Sequence, residues 1–288
     1  MCVHPDHVCD GIKQCPHMDD ELACHVSQVA CPHVCYCQGF AFVCYDVIQP
    51  SQHPQLRYLD GSYTQIRPGN LSDNSLLVHL RLNFCGLSHL DVPVLMNLRT
   101  LELSNNLVRH VDMNVFLPLR NLKILVLSHN PISSLLHNQE LNTNTLSFLN
   151  ITHLDLSYTY LDLSNATFEG TPRLKVLNLS NTVINVLPDN IFSTLPELQV
   201  LDTGKSSVVE FSRTVLKPLT QLEELHSENY KLCCSLMLPE GFDPRHCHTT
   251  LGPLDSCQDL LQYDTYRASL WLFCVLSVVG NVSSLFTR

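Results

Sequence analysis

A chain of 288 residues with a formal charge of −10 lacks the excess of basic residues that a phosphate-tracking surface needs, which argues against a nucleic-acid partner. The length allows one to three domains, and the acidic balance leaves room for a cationic partner. Of fourteen cysteines, eight precede residue 45 and four fall between 233 and 257, a distribution that reads as disulfide-stapled ends in an oxidising compartment.

Met1 is followed directly by Cys2, with no basic segment and no apolar run, so no signal peptide is written there. An exported cysteine framework without one raises the expectation of a fragment. Over residues 1–24, Cys2-x6-Cys9-Asp10-Gly11-x3-Cys15-x4-Asp20-Glu21-x2-Cys24 resembles the second half of an LDL-receptor type A module. The resemblance implies a calcium ion held by oxygen ligands, namely the side chains of Asp10, Asp20 and Glu21 and the carbonyls of His7 and Ile12. Gln14 stands where the family has an aspartate, and the family's first two cysteines are missing, which weakens the site. The resemblance also implies a Cys9–Cys24 disulfide and leaves Cys2 and Cys15 without their usual partners. The alternative is a cysteine-rich segment that binds nothing.

Residues 25–55 contain Cys31-Pro32-x2-Cys35-x-Cys37-x6-Cys44, which is similar to the cysteine cap that opens extracellular leucine-rich-repeat domains. That likeness implies the pairs Cys31–Cys37 and Cys35–Cys44. A cap is physically needed, because the first repeat would otherwise expose apolar core and an open strand edge. Zinc held by these cysteines with His25 and His33 is the competing reading.

Residues 56–230 repeat one pattern about eight times. Its clearest copies are Leu98-x-x-Leu101-x-Leu103-x-x-Asn106-x-Val108 and Leu122-x-x-Leu125-x-Leu127-x-x-Asn130-x-Ile132, and the period near 24 is that of leucine-rich repeats. Each Leu-x-Leu alternates inward and outward as a short strand does. The expected fold is α/β: a leucine-rich-repeat horseshoe with a parallel sheet on its concave face, disulfide caps and one C-terminal transmembrane helix. Thr64, Cys85, Asn106, Asn130, Thr159, Thr182 and Ser206 form a ladder that can satisfy backbone groups inside the coil; Cys85 is thereby expected to be structural. Phe116, Phe168 and Phe192 fall on the return side. The stretch from 136 to 146 reads as an insertion on the convex side.

Between the two strand leucines stand Asp60, Arg81, Glu102, Val126, Asp155, Asn178, Asp202 and His226, with Glu224 and Glu228 beside the last. The carboxylates Asp60, Glu102, Asp155, Asp202, Glu224 and Glu228 are candidates for docking a basic ligand and speeding its encounter. The plainer alternative is a solvated polar slot, common in such repeats. N-glycosylation sequons begin at Asn70, Asn150, Asn165 and Asn178. Neither HExxH nor GxSxG occurs, and scattered Ser, His and Asp do not make a triad without geometry, so no enzyme is expected.

Residues 231–265 carry Cys233, Cys234, Cys247 and Cys257. Residues 266–288 follow, with no Lys, Arg, Asp or Glu between Arg267 and Arg288, close to the ~20 apolar residues that a membrane span needs; a buried core helix is the alternative. Tyr266 and Trp271 suit the outer interface. Cys9-Asp10-Gly11, the repeats, Cys233-Cys234, Cys257-x-Asp259 and Gly280-Asn281 together resemble leucine-rich-repeat G-protein-coupled receptors, most closely the relaxin-receptor type. The resemblance implies the pairs Cys233–Cys247 and Cys234–Cys257, and a first transmembrane helix in which polar Asn281 faces neighbouring helices. It also implies a plasma-membrane location with the repeats outside, a secreted peptide or protein hormone on the concave face, and a heterotrimeric G protein only for the full-length parent. On that reading the chain is an ectodomain with its first membrane helix and does not signal alone. A single-pass leucine-rich-repeat adhesion or matrix-recognition protein is the alternative.

Overall fold

The computed structural model describes residues 31–136, 149–164 and 167–250, together with 257, 269, 271–275 and 277. Fifteen strands follow one another: β1 (Cys35–Gln38), β2 (Ala41–Cys44), β3 (Tyr58–Asp60), β4 (His79–Arg81), β5 (Thr100–Glu102), β6 (His110–Asp112), β7 (Ile124–Val126), β8 (Ser134–Leu136), β9 (His153–Asp155), β10 (Val176–Asn178), β11 (Val186–Leu187), β12 (Val200–Thr203), β13 (Glu210–Phe211), β14 (Glu224–Ser227) and β15 (Cys247–His248). Eleven of them build one sheet in the order β1-β2-β3-β4-β5-β7-β9-β10-β12-β14-β15, and β6-β8 and β11-β13 form two-stranded sheets on the return side. Only β1 and β2 pair antiparallel; every later neighbour in the large sheet is parallel. The protein is a parallel β-solenoid.

The inward leucines make the coil. Leu59, Leu80, Leu101, Leu125, Leu154, Leu177, Leu201 and Leu225 are the middle inward residues of successive strands and all are buried. Phe116, Phe168 and Phe192 close the opposite wall, each at most 1% exposed. At about 25 cal/mol per Å² of apolar area removed from water, such stacking is the main stabilising term, and no repeat gains it without a neighbour. Gly61 takes an inward leucine slot because a Cβ there would meet Ile66 Cδ1 at 2.9 Å and Leu82 Cδ2 at 3.1 Å.

The return sides differ from the α/β expectation. Within the described repeats they are short 3-10 segments such as Pro68–Leu71 and Met113–Phe116 and tight turns, not α-helices. The chain approaches each strand through the same i→i−3 bond: Leu98, Leu122, Leu174, Leu198 and Leu222 donate to the carbonyls of Leu95, Leu119, Thr171, Leu195 and Leu219. The reason lies in length and proline. Short return segments leave little room for α-turns, and Pro68, Pro118, Pro172, Pro188, Pro196 and Pro218 remove the N–H that an α-helix would use. Helical residues within 269–277 are the described α-helical part, and among the described residues no helix is long and apolar enough to cross a membrane. The expected span over 266–288 and its Asn281 lie largely outside the described residues, as do the residue 1–24 module with its calcium ligands, the Cys9–Cys24 pair, and the insertion's 137–148 segment.

Both ends of the described solenoid are covalently closed. Cys35–Cys44 joins β1 to β2 and Cys31–Cys37 ties the preceding segment to β1, while Cys233–Cys247 ties β15 to the 3-10 turn after β14 and Cys234–Cys257 joins the end of that turn to the chain beyond β15. These disulfides fit an extracellular compartment. Cys85 and Cys274 are the free thiols among the described residues.

Candidate ligand-recognition face

The parallel register turns an interval in sequence into a column in space. Asp60, Arg81, Glu102, Val126, Asp155, Asn178, Asp202 and His226 lie opposite one another on successive strands. The column continues one place further, because β15 pairs with β14 and sets His248 beside His226. Nothing in the sequence around His248 resembles a repeat. It joins the sheet because the Cys233–Cys247 disulfide holds the preceding residue against the last coil.

The first half of the column is partly neutralised, because one cation, Arg81, is shared by two carboxylates. Arg81 Nε lies 2.7 Å from Glu102 Oε2 and its Nη2 lies 3.1 Å from Glu102 Oε1, a two-pronged pair, while Nη1 reaches Asp60 Oδ2 at 3.3 Å. Burial works against the guanidinium charge, but the Glu102 hydrogen bond and the nearby negative charges hold the Arg81 pKa above its ordinary range. Two of the six candidate carboxylates, Asp60 and Glu102, are thus held by Arg81.

The second half is differently arranged. Oδ1 of Asp155 accepts from the N–H of Ser157 at 2.9 Å, and Oδ1 of Asp202 from that of Gly204 at 2.7 Å. Asn178 does the same for Ser180 and Asp60 for Ser62. Each such side chain turns the backbone out of its strand, which is why short Asp and Asn recur at this slot. Beyond them, Asp202, Lys205, His226, Glu228 and His248 line a concavity of about 410 Å³ at the last strands. Within it His226 Nε2 lies 2.9 Å and His248 Nε2 3.4 Å from Glu224 Oε1, and the two imidazoles stack at 4.6 Å.

The ladder that turns the chain inward forms as follows. Asn106 Oδ1 accepts from the N–H groups of Cys85 and Leu87, and its Nδ2 donates to the carbonyls of Leu82, Leu103 and Ser104. Asn130 repeats this against Val108, Leu103, Leu127 and Ser128. Where Thr or Ser replaces Asn, one hydroxyl bond to the carbonyl three residues back remains, as in Thr159 to Leu156. Cys85 fills its rung with a half-buried thiol 3.3 Å from the Gly61 carbonyl, and burial pushes its pKa up, which keeps it unreactive.

A second column escaped sequence reasoning. The residue preceding each rung, Tyr63, Phe84, Asn105, His129, Tyr158, Asn181 and Lys205, has φ between 54° and 63°. That left-handed backbone aims the amide across the repeat: Tyr63 donates to Asn83, Phe84 to Ser104, His129 to Ser157 and Tyr158 to Ser180. Its side chain is turned to solvent. Tyr63 stacks on Phe84 with centroids 4.5 Å apart and His129 on Tyr158 at 3.9 Å, leaving an exposed aromatic edge along the strand ends. Asn and His at this place were the available signal, since both tolerate positive φ better than most residues.

Asn70 is exposed and Asn178 half-buried. Asn150 Nδ2 donates to the Arg120 carbonyl at 3.0 Å. Asn165 lies outside the described residues.

A family described as leucine rich repeat matches residues 149–204. Over 74 residues the chain is 34% identical to the G-protein coupled receptor GRL101 of Lymnaea stagnalis, covering 26% of this chain and 6% of that one. Over 111 residues it is 34% identical to the CD180 antigen of Mus musculus, covering 37% of this chain and 16% of that one. It therefore spans a small part of these curated relatives. Among solved structures, an internalin of Listeria monocytogenes superposes with a TM-score of 0.47 at 18% identity over 73% of this chain and 67% of that one. The chain in a TLR13–ssRNA13 complex gives 0.48 at 20% over 70% and 30%. Residues 149–204 thus carry leucine-rich repeats, within a parallel solenoid closed by disulfides at both described ends.

Proposed function

We propose that this chain is the ligand-binding part of a cell-surface receptor of the leucine-rich-repeat G-protein-coupled class, the repeats outside the cell and residues 266–288 forming the first membrane helix. A secreted peptide or protein binds the concave sheet face, its basic side chains docking on the second half of the column. The observation that carries this reading is the charge division along the face. Asp60 and Glu102 are occupied by Arg81, whereas Asp155, Asp202 and Glu228 lie along the half that opens into the terminal concavity or leads to it. The aromatic edge adjoins the face and supplies large, rigid contact area of the kind that anchors protein partners. The partial identity to GRL101 supports the receptor class, and the disulfides support the outside placement. In the full-length parent a bundle of further helices would couple to a heterotrimeric G protein.

The test is surface display of the chain on cultured cells, followed by a binding screen of secreted peptides and protein hormones. The reading expects an antibody to an inserted tag in the repeats to stain unpermeabilised cells, and a basic ligand to bind in a salt-sensitive way. Staining only after permeabilisation overturns the outside placement.

A further inference from the structure

The end of the column has a chemistry that a carboxylate stripe does not explain. Glu224 and His226 come from β14, and His248 comes from β15 beside it. One ligand atom from each lies within 4.8 Å of the others. Two zinc ligands at bond lengths near 2.0–2.1 Å and a tetrahedral angle stand about 3.3 Å apart. The His226–Glu224 and His248–Glu224 separations of 2.9 and 3.4 Å bracket that value. The two imidazoles stack with an interplanar angle of 26°, so a cation bound in the plane of both rings requires them to turn about their side-chain bonds.

We infer that Glu224, His226 and His248 form a site for a divalent cation of the zinc class. Two imidazole nitrogens and one carboxylate oxygen favour a borderline cation over calcium, which prefers six to eight oxygens. The site is preorganised from both sides. The β14–β15 register fixes the histidines next to one another, and the Cys233–Cys247 disulfide pins the residue before His248. All three ligands keep access to solvent, with 39–51% of each side chain exposed. Three protein ligands leave a fourth position open. That position is filled by water, or by a donor atom of whatever docks in the concavity shared with Asp202, Lys205 and Glu228. The inference stands on the side-chain geometry and does not rest on the receptor reading.

The experiment is a titration of the full chain, purified in detergent without a histidine tag, with zinc against a chromophoric chelator, and separately with cobalt followed by its visible absorption. The expected result is a site that holds zinc at micromolar concentrations or below, gives a four- or five-coordinate cobalt spectrum, and ignores calcium at the same concentrations. Glu224→Gln and His248→Gln should each weaken it by about tenfold or more, using the effect of losing even an outer-shell partner as a floor. His89→Gln, an exposed histidine elsewhere, should leave it unchanged. Non-reducing peptide mapping checks that each variant keeps the Cys233–Cys247 bond, and Glu224→Gln, which is not adjacent to a cysteine as His248 is, provides a second arm. Zinc binding of equal strength in Glu224→Gln and His248→Gln, competition by equimolar calcium, or no binding at micromolar zinc would each overturn the site.

Discussion

Arg81 Nε lies 2.7 Å from Glu102 Oε2 across neighbouring strands, and this pair divides the face into a half whose carboxylates share an internal cation and a more acidic half. The side chains are only 20% and 15% exposed, so the pair is shielded more than a surface ion pair. A double-mutant cycle of Arg81→Met and Glu102→Gln is expected to return a coupling of about 1–2 kcal/mol by denaturant unfolding. Arg81→Met alone should be the most harmful of the three variants, because it leaves Asp60 and Glu102 on the two strands flanking β4 without their shared cation.

Asn106 makes five hydrogen bonds to backbone groups, two as acceptor and three as donor. Asn106→Ala strands the amides of Cys85 and Leu87 in the coil and should cost at least about 3 kcal/mol. Thr159→Ala removes a single hydroxyl bond and should cost about 1 kcal/mol. Equal losses in the two unfolding curves would refute the ranking.

Asn105 sits at φ 56°. Asn105→Gly should change stability by less than about 0.5 kcal/mol, while Asn105→Val should destabilise by about 1–2 kcal/mol, since a branched side chain fits the left-handed region worst. Thermal unfolding of the pair reads the difference directly.

Hydrogen bonds from the Arg245 side chain and backbone hold the Asp243 carboxyl down at about 2. Its folded value lies below the usual unfolded value near 3.9. The stabilisation is therefore complete above about pH 4 and fades as pH falls toward 2. Carboxyl NMR titration should show this low midpoint, and Arg245→Gln should return it to the ordinary aspartate range.

The repeat period, the inward leucines, the polar ladder and the membership of the strand column follow from spacing, because a parallel sheet places equivalent positions side by side. Two things were hidden. The 21-residue intervals from Asp60 to Arg81 and from Arg81 to Glu102 put three charges in one column, yet only distances show that Arg81 engages both carboxylates. His248 lies outside any repeat, and its place beside His226 depends on β15 joining the sheet behind a disulfide. The return sides carry 3-10 turns because proline and short spans favour them, which leucine periodicity does not report.

On the proposed function, recognition belongs to the more acidic half of the face. Its most direct measurement is the affinity of the basic ligand recovered by surface screening for three versions of the chain. Asp155→Ala/Asp202→Ala/Glu228→Ala should weaken binding by about tenfold or more, at roughly 1.4 kcal/mol per decade, and flatten its salt dependence, while Asp60→Ala should bind as the unaltered chain does. Full affinity in the triple variant, or a greater loss in Asp60→Ala, would contradict it.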